Sequence, residues 1–123
     1  MARAIRIKWL DEPQKHDYRA AESYLTLVMG PQAAQKTREE LEHAEMASFA
    51  AKDIFRASGL SLLGISNSHV AKDQAKITLG EDLSPLLLVT DRLHGRLIVA
   101  DGYHRLCAVY KLDEDAMIPC KLT

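Results

Sequence analysis

The sequence predicts an α+β domain built on a small mixed sheet packed with helices. Three observations carry this. Segments with helical apolar spacing come mostly early, and short apolar, strand-like runs come mostly late. The chain has 123 residues, about one domain's worth. Its 47% hydrophobic and 27% charged content is ordinary globular composition, able to support a core without disulfides. No repeat, low-complexity tract or Gly/Ser/Pro linker divides it, so 1–123 reads as a single domain.

Ile5–Leu10 alternates apolar and polar residues, as a half-buried strand does, and Asp11-Glu12-Pro13 ends it. Asp17 is placed to N-cap a helix running to about Met29. Its stripe is Tyr18, Ala21, Tyr24, Leu25 and Val28. Gly30 supplies the residue beyond the helix, and Pro31 blocks continuation. From Pro31 to Ser58 strong helix formers dominate. Gln32–Glu45 is polar nearly all round, with Thr37 and Glu40 at capping-box spacing. A break is expected near Ala47–Ser48, with Ser48 capping a short helix that stops at Gly59.

Leu60–Ile65 is an apolar connection. Asn67 can cap a helix that runs to Leu79 and closes at Gly80. Leu86–Val89 and Leu97–Ala100 read as a hairpin around the polar turn Asp91–Arg96. Gly102–Leu112 is helical. Ile118–Leu122 is a terminal strand, and Pro119 places it at an edge.

Composition excludes several function classes. Lys+Arg number 16 and Asp+Glu 17, a net charge of −1, without the basic excess of a counterion-releasing DNA binder. The longest apolar run, Leu106–Tyr110, is far short of the roughly 20 residues of a membrane span. Asp11, Glu12, Lys15, His16 and Asp17 interrupt any signal-peptide pattern. Cys107 and Cys120, the only cysteines, are expected to be reduced thiols in a cytoplasmic protein.

The informative stretch is Leu97–Tyr110. A buried strand runs into a helix through Asp101-Gly102. A helix start leaves up to four unpaired N–H groups, which with the helix dipole attract anions. Gly102 admits a ligand close to the backbone, and Arg105 can fork onto a phosphate. Tyr103, Leu106, Cys107 and Tyr110 share one face, leaving His104, Ala108 and Lys111 on another. The plainer reading stays open beside this one: Asp101 as an N-cap, Arg105 as its salt-bridge partner and His104 as a surface histidine.

Asp101-Gly102-Tyr103-His104-Arg105-Leu106, with Ala108 following, resembles the signature of the ParB/sulfiredoxin superfamily. There a strand ends in a Gly-x-His-Arg or Gly-x-Arg-Arg turn that opens a helix. The proline-led pair Ser84–Val89 and Leu97–Ala100 and the later Pro-containing strand are similar to that superfamily too. Lys52–Gly59 and Asp113–Cys120 look like a group of small stand-alone ParB-like proteins. The resemblance covers about residues 47–123 and leaves 1–46 as a strand plus a helical extension.

The resemblance implies nucleotide phosphates bound at the turn, with ATP or CTP and Mg²⁺ as candidate cofactors. Gly102, Tyr103, His104 and Arg105 would contact phosphate. Asp101 and His104 would be the catalytic acid/base groups of a phosphoryl transfer or phosphoester hydrolysis. Tyr103 stands where sulfiredoxin carries its cysteine, which argues against sulfinic-acid reduction. The chain ends at Thr123 without the helix-turn-helix of partition proteins, so DNA segregation is not expected.

Four further basic residues can support an anion site: His69 and Lys72 near one helix start, and Lys52 and Arg56 one turn apart. Asp11 and Glu12 stand where a kinase-like member could place a catalytic acid. Glu39 and His43 have metal-ligand spacing but no second pair, so they read as a solvated helix face. The alternative function is a non-enzymatic protein-interaction or regulatory module, toxin–antitoxin-like or a degenerate family member, with the polar helix over residues 31–45 facing its partner.

Overall fold

The computed structural model describes residues 6–64 and 66–123. Its elements in order are β1 (Lys8–Trp9), α1 (Lys15–Met29), α2 (Pro31–His43), β2 (Met46–Ala50), α3 (Ala51–Ser58), α4 (Ser68–Thr78), β3 (Asp82–Leu83), β4 (Leu86–Asp91), β5 (Arg96–Asp101), α5 (Tyr103–Leu112) and β6 (Met117–Leu122). The α+β class holds, and the main sheet is mixed. Its order is β2-β6-β4-β5, with β4 and β6 parallel and the other pairs antiparallel. β1 and β3 form a separate parallel pair.

Side-chain alternation on the two central apolar strands explains the layering. Leu87, Val89, Ile98 and Ala100 pack against Ala21, Leu25, Ala34 and Leu41 of α1 and α2. Leu86, Leu88 and Val99 point the other way, into a core shared with α3, α4 and α5. The sheet is thus covered on both faces. The helices over residues 15–43 supply one whole layer through Ala21, Leu25, Ala34 and Leu41, with Tyr18 packed against them, whereas Tyr24 and Val28 of the expected α1 stripe are exposed. Lys121 reinforces that layer. It is buried on β6, donates to the Glu42 carbonyl at the end of α2, and lies over the Tyr18 ring.

Several boundaries differ from the sequence reading. The expected strand at 5–10 shrinks to Lys8–Trp9, and Ile5 lies outside the described residues. α1 starts before Asp17, with Gln14 as N-cap, so Asp17 sits inside the first turn. Thr37 and Glu40 are mid-helix and form no capping box. Thr37 turns to Met29 instead. Ser48 caps no helix. It lies in β2, paired with Pro119, because the backbone of 46–50 is taken up by β6.

β6 is interior, not an edge. Pro119 is tolerated because the pairing with β4 begins only at Cys120, so at Pro119 the strand is paired on the β2 side alone. Ala108 is buried with Leu106, Cys107 and Val109, so α5 is enclosed on more faces than its periodicity suggests. The Asn67 cap, the left-handed Gly59 and the β4–β5 hairpin stand where the sequence puts them.

Candidate functional site

β5 delivers Asp101 to its carboxyl end, and the chain turns at Gly102 into α5. Gly102 has φ 107°, a conformation side chains disfavour. A Cβ there would lie 2.7 Å from Leu86 Cγ. The residue type is therefore dictated by both backbone and packing. No side chain among the described residues caps the helix start. Asp101 is not an N-cap. Its Oδ2 instead accepts a hydrogen bond from Arg105 Nη2 at 3.0 Å.

The same Nη2 lies 3.7 Å from Oδ2 of Asp17. Asp17 is almost fully buried, at 3% exposure. It accepts a hydrogen bond from the Ser84 hydroxyl, and Ser84 in turn accepts one from the Gln14 amide. Arg105 thus bridges two carboxylates from opposite ends of the chain. Its Nε is buried without a hydrogen-bond partner among the described residues. Burial holds the Asp101 carboxyl above its ordinary range. Arg105 pulls against that shift, and neighbouring Asp17 adds to it.

On the solvent side the turn opens into a cleft of about 210 Å³. It is lined by His69, Lys72, Asp73 and Lys76 of α4 together with Asp101–Arg105. α4 packs on α5 through Val70 and Ile77, which belong to the shared core. That packing brings its cationic side chains over the start of α5. His69 and His104 stack at 4.8 Å between ring centroids, tilted by 41°. Burial depresses the His104 pKa, and His69 adds to the effect. The Tyr103 hydroxyl donates to the Ser61 carbonyl, tying the turn to the 60–64 connection.

The structure therefore brings Asp101, Gly102, Tyr103, His104, Arg105, His69 and Lys72 together. Lys52 and Arg56 lie elsewhere. Lys52 pairs with Asp115 at 2.6 Å, and Arg56 is exposed beside Asp53. Asp11 and Glu12 are exposed and do not line the cleft. His43 turns its ring to the Glu39 carbonyl on an exposed helix surface. Among the described residues no group of three or more His, Cys, Asp or Glu side chains is arranged to hold a metal ion. No helix among them is long and apolar enough to cross a membrane.

Cys107 and Cys120 are free, buried thiols. Burial raises the pKa of both, that of Cys120 to about 11. Neither has the lowered pKa of a nucleophile.

Three site residues escaped sequence reasoning: Lys76 and Asp73 of α4, and Asp17. Lys76 is one turn beyond Lys72 on the same helix face, a spacing that could have flagged it. Asp17 carried no usable signal for the site, because Ser84 and Arg105, which tie it there, are 67 and 88 residues away along the chain.

Comparison with known proteins finds no match: no family model, no curated protein and no solved structure matches the chain.

Proposed function

We propose that this chain is a ParB/sulfiredoxin-like domain that binds a nucleotide or another small phosphate-bearing ligand where β5 meets α5. One observation carries the reading. The start of α5 lacks a side-chain cap and faces a cleft lined by Lys72, Lys76, His69, His104 and Arg105. Helix-start amides and cationic side chains converging on one space suit a phosphate. The small size and polar lining of the cleft suit a ligand headgroup rather than a polymer.

If the site is catalytic, phosphoryl transfer or phosphoester hydrolysis fits its groups best. Arg105 and the helix start would stabilise phosphate charge. Asp101, whose carboxyl holds its proton to higher pH than usual, and His104 are the groups able to move a proton.

The second reading, an interaction module, draws on exposed apolar residues of α1. Tyr24, Leu27 and Val28 share one surface of that helix, and Leu27 is 88% exposed. The charged face of α2 contributes less to it, because Arg38 is engaged by Glu22 and Glu42 of its own layer.

Calorimetric titration of ATP and CTP with Mg²⁺ tests the first reading. Saturable heat is expected with at least one of them, and it should weaken when Lys72 and Lys76 are both changed to Ala. No heat with either nucleotide would overturn the reading. So would binding that neither Lys72→Ala/Lys76→Ala nor Arg105→Ala affects.

A further inference from the structure

We propose that His69 and His104 form a proton-accepting pair in this cleft, so that a tetrahedral phosphate-like dianion binds together with a proton. The inference rests on the anion-binding reading above and adds how the charge is supplied.

The charge around the cleft is otherwise balanced. Lys72, Lys76 and Arg105 are the cations lining it. Asp73 and Asp101 line it as well, and Asp17 stands against the back of Arg105. Among the described residues three cations face three carboxylates, and Tyr103 has its hydroxyl engaged by Ser61. With both imidazoles neutral, the described side chains offer an incoming dianion no net formal charge, only the partial charge of the α5 amides. Only the titratable groups can change that.

The two histidines are placed to do so. They come from different helices, and their rings stack 4.8 Å apart. Neither is within ion-pair distance of a carboxylate among the described residues. Two imidazolium rings this close repel each other, so the empty cleft disfavours double protonation. Burial, His69 and Arg105 all hold His104 neutral at ordinary pH, and Asp73 alone opposes them. An anion seated beside both rings reverses that balance. Linkage then requires the reciprocal effect: whatever raises the imidazole pKa values must bind more tightly as pH falls through them. Asp101 is the rival proton acceptor, because its carboxyl already holds its proton above the usual range.

Sodium sulfate is the probe, a tetrahedral dianion that does not itself titrate near neutrality. Its affinity is measured by calorimetry at constant ionic strength in buffers of low and high ionisation enthalpy. The imidazole resonances of His69 and His104 are followed by NMR with and without sulfate. Affinity is expected to be at least about tenfold higher near pH 6 than near pH 8, with net proton uptake. Both imidazole titrations should move to higher pH when sulfate is present. The pH slope should vanish in the His69→Gln/His104→Gln variant and persist in Asp101→Asn.

Affinity that differs by less than about twofold between those pH values would overturn the proposal. So would a slope lost in Asp101→Asn but kept in the double histidine variant. If ATP or CTP binds but with no proton uptake and no histidine dependence, this inference falls and the anion-binding reading stands. If sulfate, ATP and CTP all fail to bind near pH 6, both fall together.

Discussion

Asp17 in the first turn of α1 reaches Arg105 in the first turn of α5, Oδ2 to Nη2, at 3.7 Å. This pair joins the helical layer on one face of the sheet to the turn that forms the site on the other. Asp17 holds its place through Ser84, which precedes the buried Pro85 and β4. Asp101 completes the arrangement from the end of β5.

Asp17→Asn keeps a hydrogen-bond acceptor for Ser84 but removes the charge facing Arg105. Because Arg105 retains Asp101, the loss should be partial, about 1–3 kcal/mol by urea denaturation. Asp17→Ala also removes the acceptor for the Ser84 hydroxyl proton, leaving Ser84 only the bond it accepts from the Gln14 amide, and should cost more. Unchanged midpoints in both variants would contradict the coupling described here.

Gly102 and Gly95 both have positive φ, but only Gly102 is crowded. Gly95→Ala has open space around the new methyl and should cost about 1–2 kcal/mol. Gly102→Ala must strain the backbone and push Leu86 as well, so its thermal midpoint should fall clearly further. Equal losses would argue against the packing described at the turn.

Leu25 and Leu41 are fully buried against the sheet. Leu25→Ala and Leu41→Ala should each cost about 2–5 kcal/mol, as core truncations do. If residues 1–46 were a dispensable extension, both changes would be nearly neutral in denaturant unfolding.

Cys120 provides a pH test. Its folded-state pKa of about 11 lies above the ordinary thiol value of 9.0. The unfolded chain therefore releases this proton first. The thiol's contribution is fully present below about pH 9 and is lost as pH rises towards 11. Wild type should lose about 3 kcal/mol relative to Cys120→Ala across that window. A constant difference between the two proteins would contradict the burial of this thiol.

The legible parts of the fold were those written in local chemistry. The Asn67 cap, Gly59, Gly30-Pro31 and the β4–β5 hairpin all depend on residues close in sequence. β2 was illegible because Met46–Ala50 has weak strand character of its own and is a strand only by pairing with β6. The interior position of β6 was hidden for a similar reason. Pro119 signals an edge locally, while the register with β4 removes the conflict.

At the site, the Asp101–Arg105 turn was legible as a strand-to-helix junction, and His69 and Lys72 as basic residues near a helix start. That α4 lays them over α5 depends on the packing of Val70 and Ile77. Asp17 has the local pattern of a helix cap, while its place at the site is set by Ser84, Asp101 and Arg105, all distant in sequence.

Phosphate binding where β5 meets α5 is tested most directly by amide NMR of the ¹⁵N-labelled protein during titration with ATP or CTP. The largest saturable shifts are expected on the amides of Tyr103, His104 and Arg105, with smaller ones at His69 and Lys72. Shifts confined to other surfaces, such as Tyr24–Val28 of α1, or no saturable shift at all, would contradict it.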